Sequence, residues 1–147
     1  MDPLYNTKIY EKQGGDEVVV ASGGKITEEP GGAILGRAVL NTVAADIGTA
    51  GSVFVISPFA GTIVGLAAVN HVANATTKTV LTAKLGGVSV TAPAWEVAVT
   101  AAAGTPTSVV PTAANSVAVG DVIEIAFDGG SSSVEPTTFS ITILRTS

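Results

Sequence analysis

The chain of 147 residues contains no cysteine and a single histidine, His71. That removes disulfides, thiolate nucleophiles and cysteine-bearing metal sites, and leaves no histidine pair for a zinc centre. Aromatic side chains are few: one Trp, two Tyr and four Phe. Any core must therefore be built from small aliphatic residues. Basic residues number seven against twelve acidic ones, for a net charge of −5. A nucleic-acid binder needs clustered Lys and Arg to neutralise phosphates, and an anionic membrane repels an acidic surface, so neither partner is expected. The longest apolar run, Ile63–Val69, is far below the ~18 residues that span a bilayer. Met1-Asp2-Pro3 carries neither a basic n-region nor an apolar h-region, so no signal peptide is expected, and the chain reads as soluble and made in the cytoplasm.

What is present is 46% hydrophobic, mainly Ala and Val, with 17 Gly and abundant Thr and Ser. Strong helix formers of the Glu/Lys/Gln/Arg type are scarce. The composition predicts an all-β protein. Charge divides it unevenly: residues 1–46 carry eleven charged side chains and residues 47–147 only eight. On that contrast the sequence predicts an N-terminal arm over 1–46 and a β-sandwich body over 47–147.

Within the arm, glycine pairs recur at Gly14-Gly15, Gly23-Gly24 and Gly31-Gly32. Both residues of such a pair reach positive φ without steric cost, so each pair marks a corner. The pieces between are β-branched: Val18-Val19-Val20, Lys25-Ile26-Thr27 and Ala33-Ile34-Leu35. Strand, corner, strand, corner, strand is the pattern of hairpins or of β-helix rungs, which cannot bury an apolar side alone. Met1–Gln13 has no periodicity and reads as an extended tail. If a partner covers the arm, the contacting residues are Tyr10, Gly14, Gly15, Val18, Val20, Gly23, Gly24, Ile26, Gly31, Gly32 and Ile34. Gly36–Asp46 fits a short helix or strand leading into a linker.

From Ser52 onward, period-2 alternation takes over. Strands are expected over Ser52–Ser57, ended by Pro58, and over Thr62–Val69 as the returning strand. Thr79–Leu85 and Val88–Thr91 flank Gly86-Gly87, a pair suited to a two-residue primed turn. Trp95–Thr100, the strand opened by Gly120-Asp121 and Thr137–Arg145 complete the set, with a long Ala/Thr/Pro connection up to Asn115. Seven or eight strands at this spacing predict a sandwich or barrel, with a jelly roll preferred because most connections are long enough to cross between sheets. The expected core is Val53, Val55, Ile63, Leu66, Leu81, Leu85, Trp95, Val97, Ile123, Ile125, Phe139, Ile141 and Ile143.

Catalytic chemistry finds no foothold. His71 has no acid with a sequence argument for pairing with it, and it reads as a surface or capping residue. Asp121, Glu124 and Asp128 lie close in sequence, but Asp121 and Glu124 point to opposite faces of a strand; a turn aspartate plus solvated charges explains them better than a calcium site. Trp95 among valines reads as core rather than as a sugar-stacking platform, Glu28-Glu29 as a solvated corner, and Asn74-Ala75-Thr76 as a chance sequon. No catalytic, cofactor or metal residue is expected. More telling are the uncharged stretches between Asp46 and Lys78 and between Glu96 and Asp121. Soluble surfaces carry roughly a quarter or more charged residues, and charge is depleted where proteins meet. These stretches predict burial against sister subunits or another protein.

Thr7–Tyr10, Gln13–Asp16, Val18–Gly24 and Pro30–Gly32 resemble the N-terminal arms of tailed-bacteriophage head proteins, nearest to the small decoration, or cement, proteins. Pro58–Gly61, Pro111–Val117 and Gly120–Ile123 resemble the β-sandwich body that accompanies such arms. The resemblance implies a non-enzymatic homotrimer on the outer surface of the virion's capsid. Its arm would lie over neighbouring major capsid proteins and hold them against the pressure of packaged DNA, without touching the nucleic acid. A carbohydrate-binding β-sandwich of a head fibre or tail is the alternative. A fragment of a β-helix lyase or hydrolase is a third, with little in the residues to favour it.

Overall fold

Burial alternates with the sequence along nearly every long strand of the body, so the pleat itself sorts side chains into an inner and an outer set. The computed structural model describes residues 9–11, 18–20, 36–74, 76–130 and 133–146. Among these there is no helix. The chain divides into two units, Met1–Ile34 and Leu35–Ser147.

In the first unit, β1 (Ile9–Glu11) pairs antiparallel with β2 (Val18–Val20), with Ile9 opposite Val20 and Glu11 opposite Val18. Ile9–Glu11, expected as unpaired tail, is thus one side of a two-stranded sheet. Gly14-Gly15 is the midpoint of the connecting sequence.

The second unit contains ten strands in two antiparallel sheets. β3 (Arg37–Ala44), β5 (Gly61–Asn70) and β12 (Thr137–Arg145) form one, in the order β3-β12-β5. Its remaining edge is split: β10 (Ser116–Val117) pairs with the start of β5, and β9 (Pro106–Val109) with its second half. The other sheet runs β4 (Gly51–Ile56), β11 (Val122–Phe127), β6 (Thr79–Leu85). Its far edge is also split, between β7 (Val88–Ser89) and β8 (Glu96–Val97), both on β6. Each sheet therefore has four strand positions, and except at the β6–β7 hairpin and between the split-edge segments the chain changes sheet at each connection.

Four expectations are corrected by this topology. The body begins at Leu35 rather than after Asp46, because β3 is a full edge strand held to β12 by eight register pairs. Gly61–Asn70 does not return beside β4; it crosses to the other sheet and pairs with β12. The long connection to Asn115 contains β9, whose Pro106 stands first in an edge strand, the place where a missing N–H costs least. Of the strand expected over Trp95–Thr100, only Glu96–Val97 forms.

All the expected core residues lie in one buried cluster or pack against it: Val53, Val55 and Leu85 are partly buried and the others fully so. Phe139, Ile141 and Ile143 on β12 join Ile123 and Ile125 on β11, so the central strands of both sheets share the cluster. Each such side chain contributes roughly 1.5–3 kcal/mol on leaving water. Trp95 is buried and meets Phe139 edge to face, ring centroids 6.0 Å apart at 79°. Ile63 and Leu66 are three residues apart, a spacing that should put them on opposite faces. A bulge resolves this: Ile143 pairs with Ile63 and Thr142 with Gly65, leaving Val64 as an extra residue. At the hairpin, Gly86 and Gly87 have φ of 56° and 84°, the paired positive angles of a type I′ turn.

Candidate interaction surface

Of the residues expected to contact a partner, Tyr10, Val18 and Val20 lie on the β1–β2 pair, where Tyr10 faces Val19 in register. Gly14, Gly15, Gly23, Gly24, Ile26, Gly31, Gly32 and Ile34 lie outside the described residues. The remaining sequence signal, the uncharged stretches, falls on the body, and there the structure organises it.

The stretch between Asp46 and Lys78 supplies β5 and, in the other sheet, β4; the stretch between Glu96 and Asp121 supplies β9 and β10, which both pair with β5. β9 and β10 share one edge of β5, and β12, uncharged until Arg145, pairs along its other edge. The side of this sheet turned away from the core is a grid of cross-strand rows. Val43, Thr138, Val69 and Pro106 form one row; Asn41, Ser140, Ala67 and Ser108 the next; Val39, Thr142 and Gly65 a third. Only the last row, Arg37, Leu144, Thr62 and Ser116, holds a charged residue, at its edge. Val39 and Val43 are more than half exposed. The polar groups partly satisfy one another: the Ser140 hydroxyl donates to Asn41 Oδ1 at 2.6 Å, and His71 Nε2 lies 2.8 Å from Thr138 Oγ1. His71 is exposed and serves to tie a loop to this face, as its surface reading anticipates.

The outer side of the second sheet is different. Glu124 accepts a hydrogen bond from the Ser52 hydroxyl at 2.6 Å and faces Lys84 Nζ at 3.4 Å. The Ser52 hydrogen bond, then Lys84, hold the Glu124 carboxyl below the ordinary carboxylate range. Lys78 pairs with Glu96 at 2.8 Å, and that hydrogen bond raises the Lys78 ammonium above its usual value. This face also carries apolar residues: Phe54 and Ile56 on edge strand β4 are 61% and 66% exposed, and Val122 on β11 and Val80 on β6 are exposed as well.

The acidic residues singled out by sequence do not converge. Asp121 accepts the Ala118 N–H and closes a turn, Asp128 accepts the Val80 N–H from the start of β6, and Glu124 lies on the sheet face. Among the described residues, no group of three or more His, Cys, Asp or Glu side chains is placed to share a metal ion. Asn74 of the sequon is buried, with its amide N–H groups donated to the Thr77 and Val97 carbonyls, so the folded chain cannot offer it for glycosylation. No helix among the described residues is long and apolar enough to cross a membrane.

No family model matches the chain, and neither the curated proteins nor the solved structures contain a match.

Proposed function

We propose that this protein is a structural component of a tailed-phage virion that decorates the outer surface of the head. In this reading it is a homotrimer whose N-terminal unit grips neighbouring major capsid proteins while the body fixes its position by symmetry. The observation that carries the proposal is the outer face of the β3-β12-β5 sheet: three successive rows without a formal charge, in a protein of net charge −5. A face left in water has no reason to exclude charge over four strand positions, and a face that meets another protein does. Residues that resemble the decoration-protein arm in sequence supply the second support, and weak contacts spread along such an arm add multiplicatively once the body is seated.

The same proposal takes the body as a jelly roll. Orders of β3-β12-β5-β9/β10 and β4-β11-β6-β7/β8, with the chain alternating between two four-position sheets, support that topology. The carbohydrate-binding alternative loses its main residue, since Trp95 is buried against Phe139 and offers no face to a sugar.

Cosedimentation with DNA-filled heads tests the proposal. Deleting residues 1–34 leaves the unit that holds the core and should abolish decoration, with the body still folded by circular dichroism. Wild-type decoration by the truncated chain would remove the arm from the mechanism. Light scattering of the purified protein should give the mass of a trimer.

A further inference from the structure

At one end of the body, the inward-facing rows cease to be apolar. Asn70 continues the row of Leu66 and Ala68 on β5, Thr137 precedes Phe139 on β12, and Thr79 precedes Leu81 on β6; none is more than 1% exposed. Asn70 and Thr137 are register partners. Thr79 is paired with Val97, whose carbonyl also receives an N–H of the Asn74 amide at 3.4 Å. Asn74 and Glu135 are buried too, and the Thr137 hydroxyl donates to the Glu135 carbonyl at 3.3 Å. The loops that carry them are tied together: the His71 N–H donates to the Pro136 carbonyl, the Gly104 N–H to that of Asn70, and the Asn74 N–H to that of Ala101.

Four buried oxygens in this layer have no hydrogen-bond partner: Asn70 Oδ1, Asn74 Oδ1, Thr79 Oγ1 and Glu135 Oε2. The amide orientations are not arbitrary. Asn70 Nδ2 donates to the Val72 carbonyl at 2.6 Å and Asn74 Nδ2 to that of Thr77 at 2.9 Å, so turning either amide would set oxygen against oxygen. On its other oxygen Glu135 accepts the Ser133 hydroxyl at 3.2 Å. Among the described residues no cation pairs with it; the ion pairs there join Lys78 to Glu96 and Lys84 to Glu124. A buried carboxyl and two buried amide oxygens left without donors each cost free energy. Water would satisfy these oxygens one at a time, whereas a cation would take the carboxyl and the amide oxygens as ligands together.

We propose that this layer is a cation site of the calcium class, formed by Glu135, Asn70, Asn74 and Thr79. All four ligands are oxygens, which suits calcium and disfavours zinc. Amide and hydroxyl oxygens fit the six to eight ligands of calcium, with water completing the shell, better than the strict octahedron of magnesium. With a single carboxylate, affinity belongs at the weak end, ~10⁻⁴–10⁻³ M.

The full-length chain, melted with calcium chloride and with sodium chloride at matched ionic strength, tests the site. At about 10 mM calcium and a Kd of about 1 mM, the folding equilibrium should shift roughly tenfold toward the native state. Glu135→Gln should abolish the shift. Because that change alters a buried group and could unfold the end of the body, Asn74→Asp provides an independent arm. A second carboxylate there should lower the melting temperature without calcium, yet tighten calcium binding by tenfold or more in a calorimetric titration. A wild-type transition no different in calcium than in sodium chloride overturns the proposal. So does a calcium shift of equal size in wild type and both variants, since the ion would then be bound elsewhere on the acidic surface.

Discussion

β11 and β12 are the central strands of the two sheets, and their inward residues are interchangeable in kind: Ile123, Ile125 and Phe127 on one, Phe139, Ile141 and Ile143 on the other. Outward they diverge. β11 presents Val122, Glu124 and Ala126, with Glu124 tied to Ser52 and Lys84; β12 presents Thr138, Ser140, Thr142 and Leu144, and the strands beside it add no charge until Arg37. The inner face of a sheet is dictated by the core it shares. The outer face is free to differ, and these two do: one carries ion-paired charge around Glu124 beside exposed Phe54 and Ile56, and the other, in our reading covered by protein, carries none over three rows. That contrast gives the uncharged strands β5, β9 and β10 a common location, while β4, from the same sequence stretch as β5, edges the charged face.

The largest effect should come from what both faces share. Phe139 is fully buried, reaches the common cluster and supports Trp95, so Phe139→Ala should destabilise the body by about 3–5 kcal/mol in denaturant melts. If the two sheets did not share a core, the loss would fall well short of this.

The next effect separates the faces. Ala67 sits in the middle of the uncharged grid, flanked in register by Ser140 and Ser108; Thr82 sits on the other face opposite Ala126. Ala67→Glu and Thr82→Glu each add one carboxylate to a half-buried outward position. On exposed surfaces both should leave the melting temperature within a few degrees of wild type. In binding to heads, Ala67→Glu should weaken decoration about 100-fold, because a charge buried at an interface without a partner is costly, while Thr82→Glu should leave it unchanged. Equal behaviour of the two variants would erase the distinction between the faces.

How much of this was legible depended on how local the cause was. Alternation in β6, β11 and β12 needs only neighbouring residues, so their faces and the core were readable, as was the hairpin at Gly86-Gly87. Which strand lies beside which was not, because alternation names a face and never a neighbour; β5 therefore looked like the return of β4. The bulge at Val64 hid the agreement between Ile63 and Leu66, and Pro106 disguised β9 as loop. Of the inward residues of β3 only Leu40 is large and apolar, beside Ala38, Thr42 and Ala44, and Arg37 sits at its start, so charge assigned it to the arm. For the surface, the sequence revealed that charge was missing, but only pairing brought β5, β9, β10 and β12 into one face. The polar layer around Glu135 had no signal at all, since its residues are spread from 70 to 135 and meet only through the loops.

The smallest effect concerns how each face holds itself together. Glu124 is kept below the ordinary carboxylate range by Ser52 and Lys84, so its folded form binds its proton more weakly than the unfolded chain does. Such a group adds stability above its unfolded pKa and loses it as the pH falls through the depressed folded value. Glu124→Gln should therefore cost stability at neutral pH and cost progressively less on acidification, until the two proteins melt alike below the carboxylate range. On the opposite face the corresponding bond joins Ser140 to Asn41, and neither group titrates. Asn41→Ala should lower stability by the same amount at neutral and acidic pH. Thermal melts of the two variants across that range make the comparison. A loss for Glu124→Gln that did not shrink with acid would mean that its bond to Ser52 is carried by shape rather than by charge, and the two faces would then differ in composition but not in the physics that holds them.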